Sequence, residues 1–191
     1  TNLLSGESLI RQFIKGKTFI HDEFGVDSKI FWLPDSFGMV GSLPQIMKGC
    51  GIRYFLNNKI MWQYNDGEEI PHSNFMWRGI DGTEILTHLS VGYACDMNPS
   101  SVLYKWKINK EKAEIPISLI EFGHGDGGGG ATRIHLEYLK REENLEGMPK
   151  VVAQSPLAFF ERMEKECEVK ETVVGELYYA AHRGSYTTQA K

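Results

Sequence analysis

Short apolar runs alternate with helix-patterned stretches along this chain, and that alternation limits its fold more than any other feature. Residues 29–33, 52–56, 115–122 and 171–178 read as strands, each an apolar or β-branched run bounded by Gly, Pro or polar residues. Residues 5–15 read as a helix, with Ser5 as cap, Leu9, Ile10, Phe13 and Ile14 as its stripe, and Gly16 as its end. Ser42 opens a second helix, with Leu43, Ile46, Met47 and Cys50 on one face. Further helices are expected over 102–112, 132–143 and 155–167, the last opened by Ser155-Pro156. Residues 74–78 and 84–91 flank Asp81-Gly82, a hairpin signature and a local antiparallel intrusion. Residues 151–152 suggest one more short strand. The pattern predicts an α/β fold with a mainly parallel sheet, open or closed into a barrel.

In such folds the carboxyl ends of parallel strands meet on one face, where sites are built. Three acids follow strands. Pro34 ends the run 29–33, and Asp35 comes next, with Phe37 and Gly38 behind it. Asp96 lies beyond 84–91. Asp126 sits inside the run Gly123-His124-Gly125-Asp126-Gly127-Gly128-Gly129-Gly130. Asn57, Asn58 and Lys59 follow the strand 52–56 and either face the same cleft as Asp35 or open the next loop. Residues 63–73 are polar and read as a solvated loop. The polar tail 181–188 reads as a fourth loop at the site or as a frayed end.

The glycine run lets the backbone approach a ligand closely. It is no P-loop, because no Lys-Ser/Thr follows. Its Gly-x-Gly-x-x-Gly match stands alone, and Asp126 within it would repel a pyrophosphate. His124 and Asp126 form a candidate metal-ligand pair. His88, inside a strand, reads as a satisfied core histidine, and Glu7 as an acid suited to a helix's first turn.

Totals narrow the function. A formal charge of −4 argues against nucleic acid as partner. No apolar run approaches the ~20 residues that cross a bilayer. No signal peptide is visible, although the first residue is Thr1 and not Met, so the true N-terminus is expected to lie further upstream. Cys50, Cys95 and Cys167 are widely spaced and odd in number. They read as unpaired thiols of a reducing compartment, which places the protein in the cytoplasm.

Two carboxylates across one bond are the usual equipment of glycoside hydrolysis, one attacking the anomeric carbon and the other protonating the leaving oxygen. Asp35 suits the nucleophile, with Phe37 packing on a sugar face. Asp126 suits the acid, in a loop expected to exclude water. Carboxylates with imidazole also bind zinc or another divalent ion.

Phe31-Trp32-Leu33-Pro34-Asp35-Ser36-Phe37-Gly38 with Leu43-Pro44-Gln45-Ile46 resembles the α-mannosidases of glycoside hydrolase family 38. So do Phe75-Met76-Trp77-Arg78-Gly79-Ile80-Asp81-Gly82-Thr83, the glycine run, Gly175-Glu176-Leu177-Tyr178, Ser5-Gly6-Glu7-Ser8-Leu9 and His182-Arg183-Gly184-Ser185-Tyr186-Thr187. These blocks keep the family's order, cover nearly the whole chain and most resemble the bacterial and cytosolic branch. The resemblance implies a retaining exo-acting α-mannosidase with one catalytic zinc and α-mannosides as substrate. By it, Asp35 is nucleophile and zinc ligand, Asp126 the general acid/base, and Phe37 part of the mannose pocket. Asp96 falls near a sugar-contacting acid, and His182 and Arg183 lie in a block that approaches the pocket. It also implies a (β/α)7-type barrel of which this chain is the central part. The family takes further zinc ligands from a His-x-Asp pair before Ser5 and a Phe-His-Asp block after Tyr186, and neither is present here. Ala131 stands where a Pro often follows the glycines.

Two other classes compete. One is a carbohydrate-binding fragment without turnover. The other is a metal-dependent polysaccharide deacetylase, which would need paired His ligands beside an Asp.

Overall fold

A computed structural model describes residues 2–62, 70–90, 92–179, 182 and 184–185. The chain forms two compact units, Thr1–Leu89 with Val169–Lys191, and Ser90–Glu168.

The first unit opens with helix α1, Gly6–Phe24, capped by the Ser5 hydroxyl, which accepts from the Ser8 amide. The helix passes through Gly16 and ends at Gly25. Gly25 takes the left-handed conformation (φ 66°) and donates its N–H to the His21 carbonyl at 2.8 Å. Of the two glycines only this one adopts the conformation that stops a helix. Strand β1, Ile30–Leu33, follows, then the two-residue β2, Gly38–Met39. Helix α2, Leu43–Gly49, is short and starts with Pro44 in its first turn; Ser42 precedes it without a side-chain cap bond. Strands β3 (Tyr54–Asn57), β4 (Asn74–Arg78) and β5 (Glu84–Leu89) complete the central part.

These strands make a five-stranded sheet in the order β1-β3-β5-β4-β6, where β6 is Thr172–Val174. Pairs β1–β3, β3–β5 and β4–β6 are parallel, and only β4–β5 is antiparallel. The expected α/β class and mainly parallel sheet are present. Among the described residues the sheet is open, with β1 and β6 at its edges. The antiparallel pair is the expected hairpin: Asp81 accepts from the Thr83 amide at 3.0 Å and the Thr83 hydroxyl at 2.7 Å, and Gly82 has φ 87°.

Phe13, Phe31, Phe55 and Trp77 touch in series, from α1 across the sheet, with centroid separations of 4.6, 6.0 and 5.1 Å. Tyr54, Phe55, Leu56, Phe75, Trp77 and Ile85 are almost fully buried. The Trp77 indole is satisfied by the Gly175 carbonyl at 2.7 Å, as a buried N–H requires. The run 171–178 is two strands, not one. Gly175 (φ 93°) breaks it, so that β6 joins β4 while β7, Leu177–Tyr178, turns to pair antiparallel with β2.

The second unit holds α3 (Pro99–Ile108), α4 (Arg133–Arg141) and α5 (Pro156–Glu166). Residues 115–122 form no strand, apart from a single parallel bridge between Cys95 and Phe122. Pro116 lacks the donor a ladder needs. The run's apolar side chains serve packing instead: Ile120 and Phe122 lie against Cys95, Met97 and Val102, together with Tyr138, Leu139, Met148 and Val151. Residues 151–152 are likewise not paired as a strand: Val151 packs into the same cluster, and Val152 is exposed.

Candidate active site

Asp35 stands just past the carboxyl end of β1, and parallel pairing brings the end of β3 beside it. Asn57, the last residue of β3, and Asn58 and Lys59 just after it then hold β1 and the Asp35 loop. The Asn57 side chain is fully buried. Its amide donates to the Leu33 carbonyl at 2.8 Å and the Ser36 carbonyl at 2.9 Å, one on each side of Pro34-Asp35. Its Oδ1 accepts from the Ile60 amide at 3.0 Å. Asn58 Oδ1 accepts from the Trp32 indole at 3.1 Å. Lys59 Nζ lies 2.9 Å from Asp35 Oδ1 and 3.7 Å from the centre of the Trp62 ring. The lysine side chain is only 13% exposed, whereas that of Asp35 is 61% exposed. The carboxylate therefore faces solvent while its cationic partner is sheltered.

Phe37 packs edge-on against His182, with centroids 5.0 Å apart. The β2–β7 pair makes that possible, since the Tyr179 amide donates to the Phe37 carbonyl at 2.8 Å and Tyr179 in turn packs on His182 at 4.7 Å. So His182 of the tail does reach the loop that carries Asp35. Arg183 lies outside the described residues, as does most of the polar loop 63–73.

In the second unit, Asp126 sits exposed in the glycine loop, so the expectation of a water-excluding setting is not met within this unit. The loop folds back on itself, with the His124 amide donating to the Gly130 carbonyl at 3.0 Å. A Cβ on Gly123 would meet the Gly130 carbonyl carbon at 2.7 Å, and one on Gly129 would meet His124 Cβ at 2.7 Å. The glycines are thus required by close backbone approach as well as by φ values of 113–155° at Gly127 to Gly130. Asp126 itself has φ 48°, and Met97, next to Asp96, has φ 56°. Among the described residues these are the non-glycine positions with positive φ, and such strain gathers at functional loops. The Cys95–Phe122 bridge, with the Gly123 amide donating to the Cys95 carbonyl at 3.2 Å, runs the Asp96 segment beside the start of the glycine loop. Asp96 is exposed.

The histidines do not behave as a metal set. His88 is buried against Asn74 at 2.8 Å, and burial holds its imidazole down to about 3, so it is a neutral core residue. The His124 ring packs on His135 at 5.1 Å, and His135 Nδ1 accepts from the Thr132 amide to box the start of α4. Among the described residues, no three His, Cys, Asp or Glu side chains are gathered as a metal would require. With Lys59 on Asp35 as well, the described residues do not by themselves fit a zinc site. They offer one candidate ligand. A cleft of about 590 Å³ between α1 and α2, lined by Ile10, Ile14 and Ile46 among others, contains none of the candidate residues.

Sequence reasoning singled out residues 57–59 without seeing their partners. The sequence does not show that Trp32 and Trp62 hold Asn58 and Lys59, nor the strain at Met97, for which the lettering carries no signal.

A parallel-stranded α/β unit with an acid past a strand's carboxyl end is an enzyme architecture shared by many families, and similarity along the chain decides among them. The chain belongs to glycosyl hydrolases family 38, whose N-terminal domain matches residues 1–182. It is 44% identical over 192 residues to alpha-mannosidase 2C1 of Homo sapiens, covering 100% of this chain and 18% of that protein. It is 39% identical over 191 residues to alpha-mannosidase G of Dictyostelium discoideum, covering 99% of this chain and 17% of that protein. The chain therefore spans less than a fifth of the length of these relatives. A crystal structure of an alpha-mannosidase from Enterococcus faecalis V583 has a TM-score of 0.69 at 19% identity, covering 92% of this chain and 20% of the other, and shares the fold.

Proposed function

We propose that this chain is the central part of the catalytic α/β-barrel domain of a retaining α-mannosidase that removes terminal α-mannosyl residues. The observation that carries the reading is the match along the whole chain to α-mannosidases at 39–44% identity, with Asp35 placed past β1 and held by Lys59. In the first step a carboxylate oxygen of Asp35 bonds to the anomeric carbon as the bond to the aglycone oxygen breaks. Asp126 gives that oxygen its proton. In the second, water attacks the anomeric carbon, Asp126 takes its proton, and the Asp35 carboxylate leaves with the electron pair of the glycosyl bond. Retention needs the two carboxyl groups about 5–5.5 Å apart in the working enzyme. Phe37, with His182 packed edge-on to it, supplies an aromatic wall for the sugar, and Asp96 and Arg183 are assigned to its hydroxyls.

Zinc belongs to this proposal with Asp35 as one ligand, and among the described residues no further set is gathered around it. The three unpaired cysteines favour a cytoplasmic setting. Among the described residues no helix is long and apolar enough to cross a membrane. A second reading is a carbohydrate-binding fragment without turnover; it starts from the observation that, among the described residues, no three His, Cys, Asp or Glu side chains are gathered. The deacetylase reading has no support from the placement of His88, His124 or His135.

Hydrolysis of a chromogenic α-mannoside, with and without added zinc, tests the proposal on the protein at its full natural length. Turnover with retention of configuration, reduced by about 10³-fold or more in Asp35→Asn, is the expected result. Turnover unchanged in that variant overturns the assignment.

A further inference from the structure

We propose that Lys59 is a positioning residue for the glycosidase chemistry of Asp35, held for that task by the ring of Trp62 and by the backbone turn that Asn57 secures. The inference rests on the reading of Asp35 as nucleophile and adds to it a residue outside the acid pair.

An exposed carboxylate at the tip of a loop has freedom about χ1 and χ2, and most of its rotamers would not point along a line of attack. Ion pairs at a surface ordinarily do little to restrain such a group, because a free lysine must itself be ordered. Here that ordering is already present. The Lys59 stem is sheltered at 13% exposure, and its ammonium lies 3.7 Å from the Trp62 ring centre, within the range of a cation–π contact. Asp35 Oδ1 is 2.9 Å from that ammonium. The loop's backbone is held separately, by the Asn57 amide on the carbonyls of Leu33 and Ser36. Asn57 sets where the loop runs. Lys59 sets which way the carboxylate turns within it.

The test uses the full-length protein, a chromogenic α-mannoside and a fluorinated mannosyl fluoride that traps the glycosyl-enzyme for mass spectrometry. Lys59→Met, Lys59→Arg, Trp62→Leu and Asp35→Asn are compared with wild type, and Lys48→Met on α2 serves as control. Lys59→Met is expected to lower kcat per trapped site about 10- to 100-fold, with KM within about twofold. Lys59→Arg, which keeps a cation, should recover most of the loss, and Trp62→Leu should lower kcat several-fold in the same way. A purely structural lysine would instead lower the melting temperature and the trapped fraction and leave kcat per site unchanged. Lys59→Met within about twofold of wild-type kcat per site overturns the proposal. If that variant does not fold, Trp62→Leu with unchanged kcat per site overturns it. Asp35→Asn separates the two levels. Full turnover in that variant removes the nucleophile and Lys59's role together. Lost turnover there with normal turnover in Lys59→Met removes the lysine alone.

Discussion

Glu142 is the residue whose surroundings fit its chemistry least. It caps the end of α4, is 1% exposed, and among the described residues neither carboxylate oxygen has a hydrogen-bond partner. Burial pushes its carboxyl above the usual range. A group whose folded value is raised supports the fold below its unfolded value and withdraws that support as pH rises. Glu142→Gln should therefore raise the melting temperature at pH 7, by a few degrees for a gain of about 1 kcal/mol in a chain of this size. The gain should shrink toward pH 4, as the carboxyl of the unfolded chain also takes up its proton near the ordinary Glu value of about 4.3. Calorimetry at the two pH values checks both the sign and its fading. His88 works in the opposite sense, because a buried neutral imidazole loses ground to the unfolded chain as pH falls below its ordinary value.

At the scale of elements, the glycine loop and the β1 loop reach definition by different routes. The β1 loop is fixed by side chains at and just past the end of the neighbouring strand, and the glycine loop by its own backbone. Gly123→Ala should thus cost about 1–3 kcal/mol, since φ is 116° there and the added methyl meets the Gly130 backbone at 2.7 Å. Gly127→Ala, which meets nothing within 4 Å but also has φ 113°, should cost the conformational part alone. Urea titration of the two variants separates crowding from backbone strain. These elements also show what the sequence could reveal. The hairpin at Asp81-Gly82 and the caps at Ser5 and Ser155 were legible because local chemistry decides them. Gly16 and Gly25 look alike as letters, and only the chain's path sets the end of α1 at the second. The apolar content of 115–122 predicts a strand, but it marks burial and not pairing. Asp35 was legible as a candidate from Pro34 and the strand before it. Its hold by Lys59 was not, since the parallel pairing of β1 with β3 brings those residues together from 24 positions apart in the chain.

At the scale of the whole molecule, metal binding tests whether the site is complete in this chain. Residues 1–191 alone, equilibrated with zinc and dialysed, should retain well under one equivalent by atomic absorption, because closed sites draw on about four ligands and the described residues gather fewer than three. Stoichiometric retention would show a ligand set that the described residues do not provide.

The order of the strands carries a consequence for synthesis. Strand β4 pairs on one side with β5, its neighbour in sequence, and on the other with β6, which follows only after the whole of the second unit. While the ribosome makes that unit, β4 presents an open hydrogen-bonding edge, and the Trp77 indole lacks the Gly175 carbonyl that later receives it. An unpaired edge next to a large aromatic invites association with other nascent chains. Pausing or truncation before residue 175 should therefore make this protein a client of chaperones that shield exposed strands, a demand that ends when the closing strand is released.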